Sequence, residues 1–309
     1  VREPPGGQAG PDTGSEPAER RRGLLFALAA FGFWGLVPIY FKAVGSVPPI
    51  EILAHRVLWS VPLVALLIRL FGNWGGVRDA LRSGRTLATL ALSATLVASN
   101  WLTFIYGVTQ GRILETSLGY YVNPLVNVLL GMIFLRERLT RLQAVSVALA
   151  AAGTAHLTLS HGSLPWISLT LAFTFGFYGL LRKTVRIDSM GGLLVETSLL
   201  LPAAAAYLAV LGARGTGSLG TAAPGISLLL VAAGAVTALP LIWFASAARR
   251  LPYSLIGLLQ YISPSLSFLL AVFLYGERFT PAHAVSFACI WTALAIFTFD
   301  TVHARRRAG

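Results

Sequence analysis

Ten long apolar segments constrain the fold of this chain more than any other feature. A helix that crosses the hydrocarbon of a bilayer needs about 20 apolar residues, and each segment has about that length. Only 12% of the 309 residues are charged, which is too few to cover the surface of a soluble fold. The sequence therefore predicts an all-α polytopic membrane protein that contacts the lipid bilayer. The predicted spans are 23–44, 50–70, 86–108, 113–135, 141–160, 164–183, 190–211, 225–247, 253–275 and 281–300.

The basic residues are distributed unevenly between the two sides of these spans. With the N-terminus inside, 19 of the 24 Lys and Arg residues fall in inside segments and 3 in outside loops. Because an excess of Lys and Arg marks the cytoplasmic side, both termini are predicted to be cytoplasmic. This distribution also accounts for the net charge of +12 without a nucleic-acid partner. We expect a disordered tail at 1–22, rich in Pro, Gly and charge, and a basic tail at 301–309.

The chain repeats itself at a fixed offset of 140 residues. Tyr121–Thr140 and Tyr261–Thr280 are identical at seven of twenty positions. The repeat divides the chain into two five-helix halves, 23–160 and 164–300. Since five is an odd number, the second half enters the membrane in the opposite orientation. Inverted repeats are typical of secondary transporters, whose substrate site lies near the membrane midplane between the halves.

Two symmetry-related prolines, Pro124 and Pro264, lie inside predicted spans. Proline removes a backbone donor and bends or breaks a helix, and a pair of broken helices points to the binding site of a transporter. The alternative is that these prolines only shape helix packing. The expected substrate pathway consists of Trp34, Arg56, Asn100, Trp101, Tyr120, Tyr121, Asn123, Asn127, Gln260 and Tyr261.

Arg56 and Glu196 are ionisable residues inside predicted spans, where such residues are costly and point to function. At 1.5 Å per residue, Arg56 is expected about 6 Å outside the midplane and Glu196 about as far inside it. Each therefore needs a partner at its own depth. Glu115 is the favoured partner of Arg56, in a pair that would be structural, with Glu51 and Tyr121 as alternatives. Glu196 has no basic residue at its depth, and desolvation disfavours a charged carboxylate. Glu196 and Glu115 are therefore the candidates for a proton-coupling group.

Small residues form a ridge on the last helix of each half. Such ridges allow close helix approach, which we expect to serve packing within the bundle, with a homodimer as the alternative. The ridges are Ala144, Ala148 and Ala152, and Ala284, Ala288 and Thr292.

The residues predict neither a metal site nor a cofactor, and three function classes remain. A secondary carrier is favoured by the inverted repeat and the paired prolines. A membrane-embedded enzyme would need a nucleophile, a metal or paired carboxylates at one site, whereas Glu115 and Glu196 are expected on opposite sides of the midplane. A non-transporting accessory membrane protein would need no polar interior.

Five stretches of the sequence resemble the RarD family of the EamA-type drug/metabolite transporter superfamily. The resemblance implies ten helices in two inverted five-helix repeats, a plasma-membrane location and export of small metabolites or drugs. Members of this family are commonly labelled chloramphenicol-sensitive protein or chloramphenicol resistance permease. The stretches are Glu51–Arg56, Asn100–Phe104, Leu114–Asn127, Gly162–Trp166 and Leu259–Pro264.

Overall fold

The computed structural model of the chain describes residues 15–72, 74–135, 140–161, 164–248, 250–251 and 259–308, and these residues contain helices and no strand. The helices are α1 (Ser15–Ala43), α2 (Pro49–Phe71), α3 (Gly75–Arg82), α4 (Gly84–Thr109), α5 (Ile113–Leu135), α6 (Arg141–His161), α7 (Trp166–Thr184), α8 (Ser189–Ala213), α9 (Pro224–Ala248), α10 (Ile262–Leu269) and α11 (Pro281–Ala308). A π-helical turn, Leu270–Leu274, continues α10.

Several helices begin where the sequence supplies a cap or a proline. Ser83 accepts a hydrogen bond from the Thr86 amide at the start of α4, and Asp188 accepts one from the Gly191 amide at the start of α8. These side chains satisfy amides that have no partner inside their own helix. The helices α2, α9 and α11 start with proline, whose missing N–H costs nothing at the first helical position.

A described helix overlaps each of the ten predicted spans, and the first residues of span 253–275 lie outside the described residues. Eight helices of the described part are long and apolar enough to cross a membrane, while α7 and the short apolar helix Ile262–Leu274 fall outside that group. Helix α1 begins at Ser15, inside the predicted 1–22 tail, and α11 continues to Ala308, through most of the predicted 301–309 tail. The sequence also missed α3, which lies in a predicted loop and packs against α4 and α8.

The helices of the first half pack mainly against those of the second half. The most extensive contacts join α6 with α11, α5 with α7, α2 with α8, α1 with α9, α2 with α9 and α4 with α7. The connections 44–48, 110–112, 214–223 and 275–280 lie at one end of the bundle. We call this the outer end, after the predicted topology, and the opposite end the inner end.

The small-residue ridges of α6 and α11 do not face each other. Their six residues are exposed, so the expectation that they pack within the bundle is wrong. The contact between α6 and α11 uses another face, where a Cβ on Gly153 would lie 2.8 Å from Cβ of Cys289 and 3.1 Å from the Ser286 carbonyl oxygen. Four-residue spacing fixes which residues share a face, but it does not say which face meets the neighbouring helix.

Candidate functional site

Arg56 lies half-buried in α2, next to aromatic side chains of α1 and α4. Its Nε donates a 2.7 Å hydrogen bond to Oγ1 of Thr237 in α9. The guanidinium carbon lies 4.2 Å from the ring centre of Trp101 and 6.0 Å from that of Phe41. An arginine over an aromatic face is stabilised by the negative face of the ring. The site thus joins residues of the first half to one residue of the second half.

The predicted pair between Arg56 and Glu115 is wrong. Glu115 instead accepts two hydrogen bonds from Arg112, at 2.6 Å from Nε and 2.8 Å from Nη2. Glu51, one of the alternatives, accepts hydrogen bonds from the backbone amide and the hydroxyl of Ser218, at 2.5 and 3.0 Å. Both carboxylates are therefore bound close to their own helix ends, and the depth calculation could not reveal these local partners.

Asn100, Tyr120 and Asn123 connect α4 and α5 to α7. Asn100 Nδ2 donates to the Leu171 carbonyl at 3.0 Å, and Asn100 Oδ1 accepts a 3.2 Å bond from the Tyr120 hydroxyl. Asn123 Nδ2 donates to the Ala172 carbonyl at 3.0 Å. Both asparagines are buried, so these bonds satisfy amide groups that would otherwise be costly in the membrane. The arrangement gives the two asparagines a role in holding the helices together.

Tyr121 and Tyr261 meet at the contact between α5 and α10. Their ring centres are 6.4 Å apart with planes inclined by 17°, and the Tyr121 hydroxyl shares a 2.6 Å hydrogen bond with Ser265. Both tyrosines line an open cleft of about 720 Å³, together with Trp291 and apolar residues of α10 and α11. The structure therefore brings these two predicted residues together across the halves.

The two prolines lie in different local structures. Helix α5 runs through Pro124 without interruption, so the predicted break does not occur there. Pro264 lies in the first turn of α10, directly after the turn at Gln260 and Tyr261. A proline is well tolerated in a first turn, where amides lack intrahelical partners.

Three further predicted residues lie away from Arg56. Gln260 and Asn127 are exposed, although Asn127 donates a 3.1 Å hydrogen bond to Asn123. Trp34 packs with Phe31 and Phe244 at the contact of α1 and α9, with ring-centre distances of 5.7 and 5.9 Å. The predicted pathway residues thus form several groups rather than one.

Glu196 is fully buried in α8. Its Oε1 accepts a 2.6 Å hydrogen bond from Ser93, and the Tyr178 hydroxyl lies 3.5 Å from Oε2. The expectation that Glu196 has no basic neighbour is wrong, because Arg182 Nε lies 3.9 Å from its Oε1. Gly192 provides room for this guanidinium, since a Cβ there would overlap with it. The long side chain of Arg182 starts near the inner end of α7 and reaches Glu196 from there.

Glu277 caps the start of α5 at the outer end. Its two carboxylate oxygens accept hydrogen bonds from the amides of Ile113 and Leu114, at 2.7 and 2.8 Å. A negative charge is favourable at a helix N-terminus. Burial raises the pKa of Glu277, and the two backbone hydrogen bonds oppose this rise. Together with the bond between Glu51 and Ser218, this cap joins segments of the two halves at the outer end.

Several residues that complete these sites were missed by the sequence analysis. Thr237 and Phe41 complete the surroundings of Arg56, and Ser93 and Tyr178 those of Glu196. No motif marks these residues. Glu277 did carry a signal, because it is one of the identities between the two repeats.

The chain matches the EamA-like transporter family over residues 21–159. An uncharacterized transporter of Vibrio cholerae is 49% identical over 293 residues, which cover 94% of this chain and 97% of that protein. Protein RarD of Escherichia coli strain K12 is 46% identical over 291 residues, with 94% and 98% coverage. Chloramphenicol-sensitive protein RarD of Pseudomonas aeruginosa is 35% identical over 290 residues, with 93% and 96% coverage.

A crystal structure of a protein that is 19% identical to this chain shares its fold. The TM-score is 0.58, and the likeness covers 90% of this chain and 97% of the other. The sequence relatives cover almost the whole chain and are themselves covered almost completely. The chain therefore belongs to the RarD family of EamA-type drug/metabolite transporters and is a multi-pass protein of the cell membrane.

Proposed function

We propose that this protein is a secondary carrier that exports small metabolites or drugs by alternating access. In this mechanism two inverted five-helix halves, with both termini cytoplasmic, expose a shared site first to one side and then to the other. The observation that carries the proposal is the position of Arg56, which lies inside the membrane-spanning bundle and bonds to Thr237 of the other half. Intramembrane charges commonly mark substrate pathways.

The pairing of the helices supports an inverted repeat. If α1, α2, α4, α5 and α6 correspond to α7, α8, α9, α10 and α11, each extensive contact has a symmetry mate. The contact of α1 with α9 corresponds to that of α7 with α4, and the contact of α5 with α7 corresponds to that of α10 with α1. Glycines allow close approach in the second pair, with Gly176 next to Val126 and Gly35 next to Leu266.

Flux through the purified protein in proteoliposomes tests the carrier proposal. Chloramphenicol is the first labelled probe, because one relative is named chloramphenicol-sensitive protein, and other small metabolites follow it. We expect accumulation above that of protein-free liposomes. The variant Trp101→Ala should reduce it, because Trp101 forms the wall beside Arg56, while Trp74→Ala, in the connection before α3, should not. The absence of flux for every probe would favour the accessory-protein or enzyme alternative.

Thiol labelling tests the orientation. In a background with Cys289→Ser, cysteines replace Ser218 in the 214–223 connection and Ser83 between α3 and α4. An impermeant reagent should label Ser218→Cys from outside the cell and Ser83→Cys from the cytoplasm. Labelling of both from one side would refute the ten-span topology.

Glu196 is the group that we propose to carry a coupling proton. It is a fully buried carboxyl group whose partners are two hydroxyls and a guanidinium. It can therefore either bind a proton or, as a carboxylate, pair with the Arg182 guanidinium. Glu196→Gln should abolish flux driven by a pH gradient while exchange without a gradient continues. Glu115→Gln is the matched control, because the Arg112 pair occupies that carboxylate. Unchanged gradient-driven flux in Glu196→Gln would remove Glu196 from the mechanism.

The exposed ridges are the surface through which we propose that a homodimer forms. Small residues at four-residue spacing let helices of two copies approach closely in lipid. In the Cys289→Ser background, Ala148→Cys should form a disulfide-linked dimer in membranes, while a cysteine at the buried Ala150 should not. Equal cross-linking of both positions would argue against a specific interface.

A further inference from the structure

Arg56 is a positive charge in the membrane-spanning bundle without a negative partner in the part of the chain that the structure describes. No carboxylate oxygen of that part lies within 4.0 Å of its nitrogens. Among the described residues the guanidinium makes one hydrogen bond, from Nε to Thr237. An arginine carries five N–H donors, so the fork formed by its two terminal nitrogens remains available. An arginine at this depth is expensive unless a partner compensates it.

Four acidic residues of the spans and their outer connections have other partners. Glu51 is bound by Ser218, Glu115 by Arg112, and Glu196 by Ser93 and Arg182. The fourth, Glu277, caps α5 at the outer end. Among the described residues Arg56 therefore has no carboxylate partner, and its charge is free to attract an anion from outside the chain.

The walls around Arg56 indicate what kind of anion fits. Trp101 and Phe41 present their rings to the guanidinium, and the rings of Phe104 and Tyr120 continue this aromatic surface, with centres 5.7 Å apart. Phe104 also lies 5.8 Å from Phe41. A site with one placed charge and aromatic walls suits a small amphipathic ligand.

We propose that Arg56 binds the carboxylate of the transported solute, so that the substrates are small organic anions with an apolar, preferably aromatic, body. The two terminal nitrogens would hold the carboxylate through paired hydrogen bonds, a geometry that arginine favours. The body of the anion then lies against Trp101 and Tyr120. This inference rests on the carrier function proposed above and adds the class of substrate to it.

Binding to the purified protein tests this class independently of transport. The probes are benzoate and indole-3-acetate, each compared with its uncharged amide, and acetate as an anion without an aromatic body. Thermal stabilisation is measured at neutral pH over a range of probe concentrations. We expect the aromatic carboxylates to raise the melting temperature more than their amides, and acetate to have the smallest effect.

The variants separate loss of binding from loss of folding. Arg56→Gln should weaken binding of the aromatic carboxylates about tenfold or more, because it removes the charge-assisted hydrogen bonds. Arg56→Lys keeps the charge without the fork and should retain intermediate binding. Arg69→Gln removes an exposed arginine in the last turn of the same helix, and it should bind as the unchanged protein does.

Equal stabilisation by carboxylates and amides, or binding that Arg56→Gln leaves unaltered, would overturn the anion assignment. Stabilisation by neither class would overturn it too. The carrier proposal would survive each of these results if chloramphenicol or another neutral probe still accumulates in proteoliposomes. Conversely, the carboxylates could bind in a manner that depends on Arg56 while no probe shows flux. That result would support the anion site and contradict the carrier proposal.

Discussion

Gly234→Ala is expected to destabilise the protein because α2 and α9 approach each other at this glycine. A Cβ added to Gly234 would lie 2.5 Å from the carbonyl oxygen and 2.6 Å from the carbonyl carbon of Trp59. Non-bonded carbon atoms normally approach to about 3.5–4.0 Å. Both neighbours are backbone atoms and cannot rotate away, so the helices must separate by about 1 Å to reach normal contact.

The free-energy change follows from two opposing contributions. Adding a methyl group to a packed site costs about 1–3 kcal/mol, and the upper end applies where backbone must move. Alanine in place of glycine inside a helix stabilises that helix by about 1 kcal/mol. The net loss is therefore about 2 kcal/mol, which lowers the melting temperature of a chain of 309 residues by about 3 °C, at an unfolding entropy of about 2.1 cal/mol/K per residue.

The same displacement should disturb the proposed site. Thr237 is three residues after Gly234, on the same side of α9, and it accepts the 2.7 Å bond from Arg56. A shift of about 1 Å would lengthen this bond beyond hydrogen-bonding distance. Gly234→Ala should therefore also reduce solute binding at temperatures where the protein is still folded.

Thermal unfolding in detergent measures the stability change, with Gly32→Ala as the matched control. Gly32 lies inside α1, and a Cβ there meets nothing within 4 Å, so that variant should be as stable as the unchanged protein or slightly more so. If Gly234→Ala melts at the same temperature as Gly32→Ala and binds solute normally, α2 and α9 are not in close contact at this position and the reasoning fails.

Two further predictions concern buried charges. Gly192→Ala should displace the Arg182 guanidinium, which occupies the space of the new methyl group, and should therefore alter the pH dependence of flux. The control is Gly212→Ala, where a Cβ meets nothing within 4 Å, and it should leave that pH dependence unchanged. Burial raises the pKa of Glu277 in the closed outer end, so this state binds a proton more tightly than an open state with a solvated carboxyl group, and acidification should favour closure. Labelling of Ile113→Cys from outside, normalised to the reactivity of free cysteine at each pH, should therefore slow as the pH falls, and an unchanged ratio would contradict the prediction.

The sequence was sufficient to predict the helices because the length of an apolar run is a local property. Every predicted span contains a helix, and the repeat offset identified Tyr121 and Tyr261, which stack across the two halves. Helix α3 was missed since its eight residues are too few to cross a membrane. It forms at the edge of the bundle, where it buries Val77 and Ala80.

The partners of the buried charges could not be predicted in the same way. Depth along the membrane normal leaves the rotation of each helix about its axis undetermined, and rotation decides which side chains meet. Arg56 therefore turns to Thr237 in another helix. Glu115 takes Arg112, only three residues before it, and this local alternative was visible in the sequence. Arg182 was not considered as a partner because it lies at the inner end of the predicted span 164–183, although its side chain is long enough to reach Glu196.

Alternating access requires that some contacts between the halves persist while others break. The contact of Gly234 with Trp59 lies between apolar helices inside the bundle, where water cannot replace the packing that would be lost. The bonds of Glu277 to Ile113 and of Glu51 to Ser218 lie at the outer end, and water can replace the amide and hydroxyl donors when these carboxylates are released. The two carboxylate contacts are therefore the ones that we expect to break when the outer end opens, with the contact between α2 and α9 retained as the pivot.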